Sequence, residues 1–316
     1  MSTTASAPTL KSKHFLTLGD VSQEELMGLL SFAAHLKDLR KRGEVYAPLQ
    51  GKSVAMYFEK PSNRTRVSFE VGLNDLGAHP IFLRKEEINL GVRETIADTA
   101  RTLSRYVDSI IIRTFDQGEV EELAHYATVP VINALTDQYH PCQIVADLLT
   151  FKEKFGDFKG KKLCYLGDGN NMAHSLLLGC ATVGMSISIG CPPDYIPLPK
   201  IVEKAKAIAK ETGAEIEVTD RITHAVEGAH AVYTDVWVSM GQESTSSKYD
   251  VFQDYQVNKE IMGKADPNAI VLHCLPAHRG EEICGNVFEE HAETIFDQAE
   301  NRLHGQKAVL AALFKS

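Results

Sequence analysis

The sequence predicts an α/β chain built as two doubly wound, parallel-sheet domains. Three observations lead there. Nine short apolar runs of strand length recur along the chain. Longer stretches with helical spacing of apolar residues separate them, and that alternation implies parallel sheets covered by helices on both faces. A length of 316 residues holds two ordinary domains, with cores large enough to need no disulfide or structural metal.

In the first half Val54–Phe58, Ile81–Leu83, Ser109–Ile112 and Val129–Ile132 read as buried strands. In the second, Leu163–Leu166, Ser186–Ile189, Ile216–Val218, Ala231–Tyr233 and Ala269–Leu272 repeat the theme. One helix opens at Ser22, with Glu25 completing a capping box. Another puts Ile96, Ala100, Leu103 and Val107 on one face, and a third, after Pro141, aligns Ile144, Leu148 and Phe151. That helix runs into Lys152–Phe155 and a polar turn, Gly156–Lys162, which places the domain division near residue 150. Asn301–Phe314 is a helical pattern that fits either half, and Gly241–Lys248 is a polar, Ser-rich loop of the kind that serves as a lid.

The net charge of −9 excludes a general nucleic-acid binder, which needs a basic face, but leaves room for a small anion held by a few arginines. No apolar stretch reaches the roughly 20 residues of a membrane span. Met1–Leu10 lacks a basic region followed by an apolar one, so no secretory signal is expected. Six scattered cysteines without a C-x-x-C suit reduced thiols in the cytoplasm.

Ligands of open parallel sheets bind beyond the carboxyl ends of strands, and six motifs stand there. Ser62-Asn63-Arg64-Thr65-Arg66 joins two arginines to a helix start expected to run from about Thr65 to Leu76, a setting for an anion or for a capped helix with solvated arginines. Arg113 ends a buried run, as an anion ligand or as a salt-bridge partner. His140-Pro141-Cys142-Gln143 can direct two donors at one carbonyl oxygen, or cap a helix over a buried cysteine. Gly167-Asp168-Gly169-Asn170-Asn171 begins like a dinucleotide fingerprint, but Met172 occupies the third glycine's place, so a tight turn presenting Asn171 is the simpler reading. Asp235 can hold an amine or form an Asx turn. His273-Cys274-Leu275-Pro276-Ala277-His278-Arg279-Gly280 contains zinc-capable residues, as do His140 and Cys142, but no pair has the usual zinc-site spacing.

Through Phe58–Arg66, His140–Gln143, Asp235–Glu243, His273–Gly280 and Glu300–Arg302 the chain resembles the transcarbamoylases, most closely the ornithine carbamoyltransferases, from about Lys13 to Leu313. The resemblance implies transfer of a carbamoyl group from carbamoyl phosphate to the δ-amine of L-ornithine, giving L-citrulline and phosphate in arginine metabolism. It implies a carbamoyl phosphate-binding domain over 1–149, joined by a returning C-terminal helix over 299–316, and an ornithine-binding domain over 150–298. It also implies a homotrimer with active sites at subunit interfaces, and no metal or organic cofactor. Carried over by motif, Ser62, Asn63, Arg64 and Thr65 cradle the phosphate, Arg113 bridges phosphate and carbonyl oxygen, His140 and Gln143 meet the carbamoyl group, and Arg302 completes that site. Asn171, Asp235, Ser239 and Met240 take the amino-acid end of ornithine. Cys274 and Leu275 lie at the reacting centre, the Leu275 carbonyl facing the carbamoyl amide. Two positions depart from the family pattern. Asn63 replaces a threonine, a mild change if the backbone N–H is what counts. Asn89 replaces a longer Gln or His that reaches a neighbouring subunit's site. The rivals are a sister enzyme acting on putrescine, an N-acylated ornithine or aspartate, a non-catalytic phosphate-ligand binding protein, and a nucleotide-binding oxidoreductase.

Overall fold

The computed structural model describes residues 6–238 and 246–315. It divides into two compact units, one of residues 1–149 with 301–316 and one of residues 150–300.

The first unit contains α1 (Gln23–Lys41), β1 (Ser53–Phe58), α2 (Asn63–Asp75), β2 (His79–Arg84), α3 (Lys85–Ile88), α4 (Ile96–Tyr106), β3 (Ser109–Arg113), α5 (Gln117–Tyr126), β4 (Val131–Leu135) and the start of α6 (Pro141–Phe155). Its four strands are all parallel, in the order β2-β1-β3-β4. Every residue of β3 is buried and β1 is buried from Val54 onward, as strands covered on both faces must be. β4 starts two residues later than its apolar run predicts. Pro130 has no N–H to give a ladder, and its carbonyl accepts from the Ile110 N–H at 2.9 Å instead. Asn133 hides the strand's true extent. It is fully buried, its amide donating to the Leu16 carbonyl at 3.0 Å and to Gln117 at 3.2 Å.

The second unit adds β5 (Lys162–Leu166), α7 (Asn171–Val183), β6 (Ser186–Gly190), α8 (Pro199–Thr212), β7 (Ile216–Thr219), α9 (Ile222–Val226), β8 (Ala231–Thr234), α10 (Ser246–Phe252), α11 (Lys259–Met262), β9 (Ile270–His273), α12 (Gly285–Glu290) and the start of α13 (Ala292–Leu313). Its sheet is also parallel, in the order β7-β6-β5-β8-β9. α7 is buried from Met172 through Val183, which suits a helix apolar on every side.

α13 begins nine residues before the helical pattern detected at Asn301, and its last turns belong to the first unit. There Lys307 pairs with Asp75 at 2.9 Å and Gln306 donates to Ser68 at 2.8 Å. Gly305 allows the approach to α6, since a Cβ on it would stand 3.0 Å from Val145 Cγ1. No described helix is long and apolar enough to cross a membrane. In each sheet the chain reverses its direction of winding beside the first strand, between β1 and β3 and between β5 and β8. A switch point of this kind leaves a crevice at the strands' carboxyl ends.

Candidate active site

In the first unit the predicted residues gather where β1, β3 and β4 end. Ser62 is the N-cap of α2, its hydroxyl accepting from the Thr65 N–H at 3.2 Å, so the helix starts at Asn63, two residues earlier than expected. The first turn of any helix leaves N–H groups without intrahelical acceptors, and the positive end of its dipole lies with them. Asn63 and Arg64 occupy that turn and Thr65 closes it, buried. Arg113, the last residue of β3, points Nη1 at the Thr65 hydroxyl from 3.5 Å, and Arg302 of α13 donates Nη2 to the same oxygen at 3.1 Å. Arg302 also donates to Gln143 Oε1 at 2.5 Å and to Gln306 Oε1 at 2.9 Å.

The electrostatics of this cluster are lopsided. Arg113 is 7% exposed, forms no ion pair among the described residues, and its Nε meets no acceptor. Burial, then the charges of Arg302 and Arg64, pull its pKa down to about 9, which leaves it charged at neutral pH. The salt-bridge alternative for Arg113 therefore fails. His140, just ahead of α6, is held well below the usual imidazole range by burial and then by Arg302, Arg113 and Arg64. A neutral imidazole beside two guanidiniums can polarise a carbonyl without exchanging a proton. Cys142 takes no part: it is buried, its thiol faces the Asn133 carbonyl, and burial pushes its pKa up to about 12. Asn89 is the C-cap of α3, with φ +49°, a left-handed conformation that Asn tolerates better than Gln.

In the second unit the residues follow β5, β8 and β9. Asp235, 7% exposed, accepts from the Val236 N–H at 2.8 Å and from the Cys274 thiol at 2.9 Å, and Asn170 Nδ2 lies 3.4 Å from its other oxygen. No cation pairs with it among the described residues. Asn170 rather than Asn171 caps α7; Asn171 is the helix's first residue and half-buried. Leu275 has φ +61°, an outlier for a branched side chain, and its N–H is pinned to His273 Nδ1 at 2.9 Å. Since Nδ1 accepts, Nε2 carries the proton and donates to the buried Glu282 at 3.0 Å. Ser239 and Met240 lie outside the described residues. Among those described, His278, Glu281 and Glu282 offer ligand atoms within 4.8 Å of one another, but Glu282 is already engaged by His273.

Residues 13–153 match the carbamoyl-P binding domain of aspartate/ornithine carbamoyltransferase, and residues 159–313 match its Asp/Orn binding domain. The chain belongs to the aspartate/ornithine carbamoyltransferase family. It is 54% identical over 305 residues to an ornithine carbamoyltransferase of Anoxybacillus flavithermus, covering 96% of this chain and 97% of the relative. Among solved structures it is similar to the ornithine carbamoyltransferase of Gloeobacter violaceus (TM-score 0.86, 49% identity, 96% and 99% coverage). It is also similar to that of Pyrococcus furiosus (TM-score 0.91, 45% identity, 98% of both chains).

Some partners of this carbamoyltransferase site were not legible as such. Gln306 orients Arg302, and the only sequence signal is an i,i+4 spacing on one helix. Asp168 and Lys248 form a buried ion pair at 2.7 Å, although Lys248 falls in the stretch read as a polar loop; residues 246–248 instead open α10. A lysine in a Ser-rich stretch gives no sign that a carboxylate eighty positions away will bury it.

Proposed function

We propose that this chain transfers the carbamoyl group of carbamoyl phosphate to the δ-amine of L-ornithine, releasing L-citrulline and phosphate. One asymmetry carries the reading. Each unit buries an ion that has no counter-ion among the described residues, Arg113 in the first and Asp235 in the second, both 7% exposed. A buried unmatched charge is costly and persists where a ligand supplies the partner. The cationic cluster suits a phosphoryl and carbonyl dianion, and the carboxylate suits an α-ammonium.

In this reading the phosphate rests on the first turn of α2 with Ser62, Asn63, Arg64 and Thr65. Arg113 and Arg302 take its charge, and His140 and Gln143 hold the carbamoyl group. Asn171, Asp235, Ser239 and Met240 hold the amino-acid end of ornithine, so that the δ-nitrogen is the one presented. Cys274 and the Leu275 carbonyl serve that nitrogen. The neutral amine attacks the carbamoyl carbon, a C–N bond forms, and charge gathers on the carbonyl oxygen beside Arg113 and neutral His140. The C–O bond to phosphate then breaks, and the departing phosphate takes the amine's proton. Cys274 forms no covalent bond. Assembly as a homotrimer, with Asn89 serving a neighbouring subunit, and a cytoplasmic setting belong to the same reading; six free thiols suit a reducing compartment.

The test is citrulline formation from carbamoyl phosphate and L-ornithine, with aspartate, putrescine and N-acetylornithine as competing acceptors. A preference for any of these over ornithine refutes the assignment of acceptor. Carbamoyl phosphate bound without turnover on any amine makes the chain a binding protein instead.

A further inference from the structure

A second carboxylate stands beside the proposed ornithine site and has its own cation. Asp168 lies in the turn after β5, two residues before the Asn170 that reaches Asp235. The turn is immobilised: Gly169 donates its N–H to the Tyr195 carbonyl at 2.8 Å, and a Cβ there would stand 2.3 Å from Pro197 N. Burial pushes the Asp168 carboxyl up, Lys248 opposes that, and the charge of Asp235, which Asn170 of the same turn approaches at 3.4 Å, adds a smaller upward push. Lys248 of α10 reaches Asp168 at 2.7 Å, with side-chain exposures of 10% and 12%. Its ammonium also lies over the rings of Tyr195 and Phe252, 5.2 and 5.7 Å from their centroids. The pair is thus dry, walled by aromatics and rigidly mounted.

We infer that Lys248 and Asp168 set the acceptor's charge class: by cancelling Asp168, Lys248 leaves Asp235 as the single uncompensated carboxylate among the described residues at the amino-acid end, which matches a zwitterionic head group and not a dication. This rests on the proposed binding of ornithine by Asp235. Without the ammonium the site presents two carboxylates. A ligand carrying a carboxylate of its own is then repelled, while a diamine gains. Without Asp168 the ammonium is left uncancelled, and the bias reverses. Neither residue touches substrate in this account; both act through the field at Asp235.

Two truncated ligands read that field. L-norvaline is ornithine without its terminal amine, and putrescine is ornithine without its carboxylate. Their inhibition constants against ornithine are measured for wild type, Lys248→Met, Asp168→Asn and the double variant, with KM for carbamoyl phosphate as the control. In K248M the ratio of putrescine to norvaline affinity should rise about tenfold, as a unit charge removed at close range requires. In D168N it should fall by a similar factor. The double variant should return to within about threefold of wild type, with the carbamoyl phosphate KM within about twofold throughout. A purely structural pair would move both single variants the same way and show no recovery, and that result overturns the inference. If K248M does not fold, D168N decides alone: its ratio must fall. Wild type that binds neither analogue refutes the proposed function, whereas wild type that binds both without the opposed shifts refutes only the charge-class assignment.

Discussion

Arg113→Met separates what a buried guanidinium costs from what it supplies. With its pKa pulled from 12.5 down to about 9, holding the charge costs on the order of 5 kcal/mol, at about 1.36 kcal/mol per pKa unit. Met keeps an apolar stem and removes the charge, so the ligand-free protein should become more stable by about 1–3 kcal/mol once imperfect packing is allowed for. For a chain of this size about 1 kcal/mol corresponds to roughly 2–4 °C, so the melting temperature rises by several degrees. Turnover moves the other way. Losing one donor to a developing oxyanion raises the barrier by about 2.7–4 kcal/mol, a drop of about a hundred- to a thousandfold. Inorganic phosphate at about a hundred times its Kd should stabilise wild type by about 2.7 kcal/mol and the variant far less. Thermal melting with and without phosphate, beside a citrulline assay, reads all three quantities. A melting temperature that falls together with activity would refute the reasoning, because Arg113 would then be holding the fold and not waiting for an anion.

Three further outcomes follow from the same structure. His140→Asn should lower turnover by about a hundredfold or more without changing the shape of its pH profile above the ordinary imidazole value of 6.5, because burial keeps the imidazole neutral there. Its folded pKa lies well below the unfolded value of 6.5, so acidification through 6.5 protonates the unfolded chain first; wild type loses stability there that H140N retains, as urea midpoints would show. Asp235→Asn should raise the KM for ornithine by about thirtyfold or more while that for carbamoyl phosphate stays within about twofold, since only one ligand loses a buried ionic partner. Gly169→Ala should destabilise the second unit by about 1–3 kcal/mol, because the new Cβ would meet Ile196 C at 2.4 Å and the Tyr195 carbonyl oxygen at 2.5 Å, both of them backbone atoms that cannot swing aside.

Strands were legible because parallel strands buried on both faces are unbroken apolar runs, and each of the nine runs meets a strand. The exceptions are physical. β4 slid along the chain because Pro130 donates no ladder bond and Asn133 breaks the apolar pattern while its amide N–H groups find acceptors inside the core. α13 begins at Ala292 although its apolar stripe was clear only from Asn301. For the site, the positions just past strand ends were readable, because topology fixes where they go. Their partners were not. The bonds from Arg302 to Gln143 and Thr65 span 159 and 237 positions, and the thiol of Cys274 finds Asp235 across 39. Asn89 shows another limit: its shortness was plain in the sequence, but not that it would sit in left-handed backbone, a conformation Asn adopts readily.

The choice of acceptors around Arg302 bears on how the cluster keeps its field. Three of the groups that orient its guanidinium, Gln143, Gln306 and Thr65, are neutral. Glutamates at 143 or 306 would accept the same N–H groups at comparable distances with stronger bonds. They would also cancel the charge, leaving a better-packed unit with little attraction for a phosphate. Asp147, the carboxylate reached through this chain of bonds, sits one amide further off, accepting from Gln143 Nε2 at 2.8 Å. At these two bonds amides fix the geometry of the guanidinium without themselves adding a negative charge. The second unit solves the mirror problem: Asp235 is held by an amide, a thiol and a backbone N–H, none of which neutralises it, while the adjacent Asp168 is given a lysine. Among the described residues Asp168 thus has a counter-ion while Asp235 is held only by dipoles, and under the proposed function that difference is what leaves Asp235 for the substrate's ammonium.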